Sequence, residues 1–519
     1  MDQATSVYIN FLTAKPTMNE IKIGFGPFSK PRINREAFDA VLKSEVVGEN
    51  TATYEFETPV TAIGAHAFFD TNKGIEEDLF LHYIELPDSV ETIHPETFDG
   101  ICKLKSKLLV DNMLIIDNVL IKHFDSYNSG EVSVPEGMTA IAPGALSGFW
   151  AKKIILPSTL KEIGKEAFRG CTHLTSVKLP KGLEKIGDYA FSNTALGTAT
   201  IPDSVTSIGV EAFSDCSKLK KIKIGKSVER IGERVVSRCH LLATIDGRGA
   251  SADKRMLIFD GTLLAYTAAS KESHLEIPEG VKRIGSDALF DAKNLTSVTL
   301  PSSLESIGTG AFQRSSITEI EVPESVTTIE YGAFSTTIIE KFSGKFATAD
   351  GSALVEGNTL LAGAGNRSFT LNIPENVTEI APMACYLGEI SGVTFPDCVT
   401  VIGSKAFAYC SNMCLPVDAL PKNLEIIGEM AFEQSVMRSD MFRDGVIIPA
   451  NVKEIGYHAF FSTAAYSASA NTYWFEPVTP PKIDTTGMRI NAIYVPEEAL
   501  EAYRNAYPEF SDKIHVWER

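Results

Sequence analysis

Leu156-Pro157, Leu179-Pro180 and Ile201-Pro202 open three successive units that share one spacing. In each, an apolar residue stands three places after the proline (Leu160, Leu183, Val205). Ile-Gly follows at Ile163-Gly164, Ile186-Gly187 and Ile208-Gly209, and Ala-Phe closes the unit at Ala167-Phe168, Ala190-Phe191 and Ala212-Phe213. A fixed period of about 22 or 23 residues is the mark of a stacked-repeat architecture. It constrains the fold more than length does. A chain of 519 residues would otherwise imply several globular domains, whereas a solenoid grows layer by layer around one spine.

The unit recurs along most of the chain. It starts at Thr58-Pro59-Val60, with Ile63-Gly64 and Ala67-Phe68, and returns at Leu86-Pro87 (to Phe98) and Val134-Pro135 (to Leu146). Beyond the regular block it reappears at Ile277-Pro278, Leu300-Pro301, Val322-Pro323, Ile373-Pro374, Phe395-Pro396, Leu420-Pro421 and Ile448-Pro449. At Ile224-Gly225 a copy degenerates: Gly replaces Pro, and Val235-Val236 replaces Ala-Phe. Three intervals between prolines are roughly doubled, and each holds two apolar runs around a turn. Asp260-Gly261 and Gly357-Asn358 are favourable hairpin-turn pairs, so β-hairpins are expected in place of the usual convex turn, with the spine uninterrupted. The expected organisation is an N-terminal β cap over 1–58, repeats over 59–470 and a C-terminal cap over 471–519. The hairpin insertions fall near 105–130, 245–272 and 345–370.

In the cap, Asn19 to Ile23 and Thr53 to Glu57 read as strands, and Gly24 to Pro31 as a turn-rich link. At the other end, Ala492-Ile493-Tyr494-Val495 reads as a strand and Pro496-Glu497-Glu498 as a helix start, with proline and acids where an N-terminus favours them.

The chemistry of one unit explains its residues. In Leu174-Thr175-Ser176-Val177-Lys178-Leu179, Val177 and Leu179 alternate with Lys178, as a strand with one buried face requires. Pro180 cannot donate a backbone hydrogen bond and ends the strand. Ile186 turns inward, Gly187 allows an approach that a side chain would obstruct, and Phe191 fills the far side of the interior. Strands of successive units are expected to pair in parallel.

Cys171, Cys216, Cys239 and Cys410 each stand three residues after the closing aromatic or its equivalent (Phe168, Phe213, Val236, Phe407). One phase per layer is a core position, where a free thiol acts as a small apolar side chain. Zinc is not expected: the close pair Cys410 and Cys414 has no further ligands to complete four. The nine histidines form no ligand pattern, and no nucleophile, phosphate-loop or dinucleotide motif occurs, so neither a cofactor nor a catalytic residue is expected. A net charge of −18 argues against nucleic acid as partner. No apolar run reaches the length of a membrane span, and Met1-Asp2-Gln3-Ala4 lacks the pattern of a signal peptide. Either a leader or anchor segment is not carried in this chain, or the protein stays inside the cell.

The pattern L-x-x-[VI]-x-[LI]-P-x-x-[VL]-x-x-I-G-x-x-A-F-x-x-C, as in Leu174 to Phe191 and Leu295 to Phe312, resembles the BspA-like leucine-rich repeats of bacterial surface proteins. Asn19 to Phe56 looks like that family's N-terminal module, and Tyr494-Val495-Pro496 to Tyr503 like its cap. The resemblance implies a β-rich leucine-rich-repeat solenoid: a curved parallel sheet on one face, short strands and turns on the other, inserted β-hairpins and end caps. It also implies an extracellular or cell-surface protein that adheres to host matrix proteins or other microbes, without a shared catalytic motif.

The positions expected to face outward from the sheet are polar: Glu85, Ser133, Ile155, Lys178, Thr200, Lys223, Glu276, Thr299, Glu321, Asn372 and Thr394, with Ile155 the exception. Lys218, Lys220, Lys221, Lys223 and Lys226 crowd around one strand. From Lys152 to Arg230 there are 14 Lys/Arg against 8 Asp/Glu. One reading is a solvated face kept soluble by charge; the other is a landing patch for an acidic protein or anionic glycan. The candidate binding set is Lys178, Lys218, Lys220, Lys221, Lys223, Lys226, Glu276, Thr299 and Glu321. No row of exposed aromatics is read along the strands, which speaks against a neutral-sugar platform. The expected protein is a monomeric, non-enzymatic surface or secreted binding protein; an intracellular scaffold and a glycan-processing accessory protein or enzyme are the alternatives.

Overall fold

The computed structural model describes residues 20–25, 31–33, 35–47, 51–64, 67–70, 80–85, 92–93, 103–104, 109–116, 118–123, 130–365, 370–413, 418–435, 446–461, 472–484 and 490–517. Most of the unit from Leu86-Pro87 to Phe98, Cys414 and the side chain of Glu85 lie outside what is described. The chain divides into two compact units, Met1–Lys254 and Arg255–Arg519.

Each unit is a β-solenoid. The rung of the worked sequence runs through the strand Ser176–Val177, the strand Lys185–Ile186 and a turn closed by Phe191. Leu174, Leu183, Ala190 and Phe191 have no exposed surface, and Ile186 has 2%. Phe191 lies between Phe168 and Phe213, at centroid distances of 4.9 and 5.1 Å with 8° between planes in both pairs. That separation matches the spacing of neighbouring strands, so identical positions in adjacent rungs stack their rings. Gly187 has a steric reason: a Cβ there would stand 2.6 Å from the backbone nitrogen of Lys165 in the previous rung.

In the first unit, parallel pairing joins Glu131–Ser133, Lys153–Ile155 and Ser176–Val177, and separately Thr198–Thr200, Lys221–Ile224 and Thr244–Gly247. The longer sheet lies at the Ile-Gly position. There eight strands follow one another from Leu109–Val110 to Arg230–Ile231, most of them two residues long. The sheet read from the Val-x-Leu pattern is therefore broken after Val177. The break falls where the stretch from Phe191 to Pro202 is one residue shorter than that from Phe168 to Pro180.

The hairpins occupy a different place from the one expected. Met113–Ile116 pairs antiparallel with Val119–His123, which pairs in parallel with Ala140–Ile141. In the second unit, Met256–Phe259 and Thr262–Tyr266 lead in the same way to Arg283–Ile284, and Ala353–Glu356 and Thr359–Gly363 to Glu379–Ile380. Each hairpin thus takes the Ile-Gly station and begins a new sheet, rather than replacing a convex turn. Its strands are apolar on both faces. Ala353 and Leu360 join one buried cluster while Leu354 and Leu361 join another, which is why these runs lack alternation.

At the N-terminus, Glu20–Phe25 lies between Thr51–Phe56 and Phe80–Glu85, antiparallel to both. Gly24 and Phe25 belong to this strand and Pro31 opens another, Pro31–Ile33, so these three residues are strand and not link, and the rest of the link read there lies outside the described residues. In the second unit, parallel rungs continue past residue 470: Thr472–Phe475 pairs with Val446–Ile448, and Lys482–Ile483 with Glu454–Ile455. Ala492–Val495 and Ile514–Val516 extend the same sheet. The helix Leu500–Ala506 follows Pro496 after a single 3-10 turn, and buried Tyr503 donates from its hydroxyl to the Pro477 carbonyl at 2.9 Å.

Candidate binding surface

Parallel in-register rungs place equivalent side chains in rows, so a surface here is built row by row. Ser133, Ile155, Lys178, Thr200, Lys223, Glu276, Thr299, Glu321, Asn372 and Thr394 are all exposed. Lys178 and the five clustered lysines belong to the first unit, and Glu276, Thr299 and Glu321 to the second.

Lys221 and Lys223 project from Lys221–Ile224, whose alternate residues Ile222 and Ile224 are buried. Thr198 and Thr200 stand opposite them on one side, Thr244 and Asp246 on the other. Lys178 follows Ser176–Val177, a strand of the other three-stranded sheet. Two lysines have acidic partners: Lys221 approaches Asp246 at 3.8 Å, and Lys226 approaches Asp203 at 3.5 Å. The backbone N–H of Lys226 also donates to Asp203, and this bond above all holds its carboxyl below the usual range. Asp246 is held low chiefly by Lys254, at 3.2 Å. Among the described residues, Lys218, Lys220 and Lys223 have no carboxylate within ion-pair distance. In the second unit, Glu276 lies opposite Thr299, and His274 bridges rungs through Ser297 Oγ, 2.9 Å from its Nδ1.

One row escaped the sequence reading. Trp474 lies opposite Ile447 and Tyr494, and Tyr494 opposite His515. All four are partly or fully exposed, at the stations between inward residues that hold Glu or Thr elsewhere. The claim that the strands carry no row of aromatics is therefore corrected. The signal was present as alternation in Tyr473-Trp474-Phe475 and Ile493-Tyr494-Val495, in a segment assigned to the cap. Trp474 and Tyr494 stack at 5.7 Å with 13° between planes, so their facing surfaces cover one another instead of lying open to a sugar ring.

Burial pushes the thiols of Cys171 and Cys385 up to about 12, which keeps them protonated and unreactive. Cys171, Cys216, Cys239 and Cys410 each donate to a carbonyl of the preceding rung, at 3.0 to 3.2 Å. Among the described residues, no three His, Cys, Asp or Glu side chains gather as a metal site, and no helix is long and apolar enough to cross a membrane.

No curated protein matches the chain. Solved structures show partial similarity. A leucine-rich repeat protein from Eubacterium ventriosum is 22% identical over 62% of this chain and 88% of its own, with a TM-score of 0.44. One from Bacteroides ovatus is 22% identical over 78% and 96%, at 0.33. A leucine rich cell surface protein from Faecalibacterium prausnitzii is 23% identical over 59% and 90%, at 0.30. Likeness at these scores carries no functional argument. A family model described as a BspA type leucine rich repeat region matches residues 47–151, 139–250, 265–349 and 365–467. Its repeats give the protein a surface of the kind used for protein interaction. With well over half of its length matched, the chain belongs to the BspA-type leucine-rich repeat family.

Proposed function

We propose that this is a non-enzymatic binding protein of the cell surface or extracellular space that engages an acidic protein or anionic glycan. The lysine-bearing strand Lys221–Ile224 and its flanks form the contact. One observation carries the reading: in a chain of net charge −18, Lys218 and Lys220 are exposed with no carboxylate within ion-pair distance among the described residues, and Lys221, Lys223 and Lys226 stand close to them in the same rung. A solubilising surface would pair most of its lysines across rungs, as Lys153–Glu131 at 2.6 Å and Lys161–Glu184 at 2.9 Å do elsewhere, whereas of the five clustered lysines Lys221 and Lys226 alone approach a carboxylate among the described residues. Family membership supports the surface location.

Replacing Lys220, Lys221 and Lys223 together by Glu tests the site, with binding to immobilised acidic proteins and anionic glycans as the readout. Loss of binding, with the circular dichroism spectrum retained, is expected; unchanged binding removes this patch. Detection of the protein on intact cells by antibody tests the location, and recovery only from the soluble cell interior would refute it.

A further inference from the structure

All five clustered lysines belong to a single rung, and the rung before it is low except at exposed Asp203, which stands beside Lys226. At the stations matching Lys218, Lys220, Lys221 and Lys223 it carries Ala195, Gly197, Thr198 and Thr200. Register places Thr198 beside Lys221 and Thr200 beside Lys223, and the Lys220 N–H donates to the Gly197 carbonyl at 2.9 Å. One rung further back the surface rises again to exposed Lys178 and Lys181. The strand Thr198–Thr200 is not paired with Ser176–Val177, but the three rungs stay stacked, with Phe168, Phe191 and Phe213 spaced at 4.9 and 5.1 Å, so the low rung floors a channel of about 10 Å between basic walls. That width suits one extended chain lying parallel to the strands.

Resting on the reading above, we propose that this channel takes an extended acidic peptide whose acids occupy alternate positions. Lys221 and Lys223 are two residues apart on one strand and therefore about 6.7 Å apart. Acids at i and i+2 of an extended peptide repeat at the same distance and point the same way. A contiguous run of acids turns half of its carboxylates away from the wall. The Thr198 and Thr200 hydroxyls line the floor and can hydrogen-bond the peptide backbone. Asp203 and Asp246, which hold Lys226 and Lys221, temper the channel's affinity.

The test compares two labelled 12-residue peptides of equal composition, one alternating Glu and Ser and one with six Glu followed by six Ser, by fluorescence anisotropy at low salt. The alternating peptide is expected to bind about tenfold more tightly, as two to three well-aligned exposed charge pairs would give. Thr200→Trp, which fills the floor and leaves every lysine in place, is expected to remove that preference. Asp203→Asn is expected to tighten binding. Equal affinity for the two peptides, or a preference that survives Thr200→Trp, overturns the channel while leaving the basic patch standing. A sulfated oligosaccharide that binds more tightly than the alternating peptide and ignores Thr200→Trp also overturns it. If the alternating peptide binds unchanged after the triple lysine reversal, the patch reading falls as well.

Discussion

Tyr189 and Asn193 adopt left-handed backbone angles, φ 54° and 57°, on either side of Ala190-Phe191. The same two stations are left-handed at Glu211 and Asp215, Arg234 and Arg238, and Asp287 and Asp291. The conformation is imposed by hydrogen bonds: Glu166, Phe168 and Gly170 each donate an N–H to the next rung, at Asp188, Ala190 and Ser192, all at 2.8 Å. Any L-residue there is strained, and a β-branched one most of all. Thr336, at φ 57°, is such a case. Thr336→Asn, which keeps an oxygen for the Arg314 N–H now bound by the threonine hydroxyl, is expected to stabilise by about 0.5–1 kcal/mol. A lower midpoint in urea would refute the strain argument. Gly187→Ala tests the opposite kind of position, where space and not φ is limiting, and should cost about 1–3 kcal/mol. The Ile-Gly station was legible in the sequence because packing there demands one residue type. The left-handed stations were not, because their geometry is set by neighbouring rungs and residues as different as Glu, Tyr and Arg accept it.

At the scale of the rung, the aromatic stack does for the interior what the Pro and Gly positions do for the path. Phe432 continues from Phe407 at 5.5 Å and 11°, and leads to Phe460 at 5.5 Å and 1°. Phe191→Ala would remove a ring with both faces covered and should cost about 3–5 kcal/mol. A cost below about 1 kcal/mol in denaturant unfolding would mean that neighbouring rungs collapse into the gap. Inward positions were readable because period and burial coincide in them. The outward rows were readable in composition and not in grouping. Lys178 and Lys223 occupy equivalent stations yet belong to different sheets, and the Val-x-Leu pattern carries no trace of the break between them. The row from Ile447 to His515 was missed for a related reason. Its rungs depart from the usual spacing, so alternation remained while the repeat that would have flagged it was gone.

Over the whole molecule, the excess of acids takes on a second meaning once the rungs are in place. Several carboxylates accept backbone or hydroxyl hydrogens from an adjacent rung. Asp188 accepts from the Val210 N–H at 2.7 Å, Glu279 from the Ser302 N–H at 2.9 Å, and Glu330 from the Thr309 N–H and hydroxyl, both at 2.9 Å. For Glu330, burial acts to raise the pKa, but the bonds from Thr309 and Arg283 outweigh it and hold the carboxyl below its ordinary 4.5. Glu279 is held low chiefly by the Ser302 N–H, and Asp350 by the Thr348 hydroxyl. A carboxyl depressed in the folded state binds its proton more tightly when unfolded. Its contribution is therefore complete above the unfolded value and is lost as pH falls through the folded one. The melting temperature should stay level down to about pH 5 and then fall steadily toward pH 3. Glu330→Gln should lower it at pH 7, and the gap to the parent protein should close as the pH approaches 3. Curves that stay parallel across that range would show that the charge on Glu330 does not tie the rungs, and that the acidity of the chain serves only its surface.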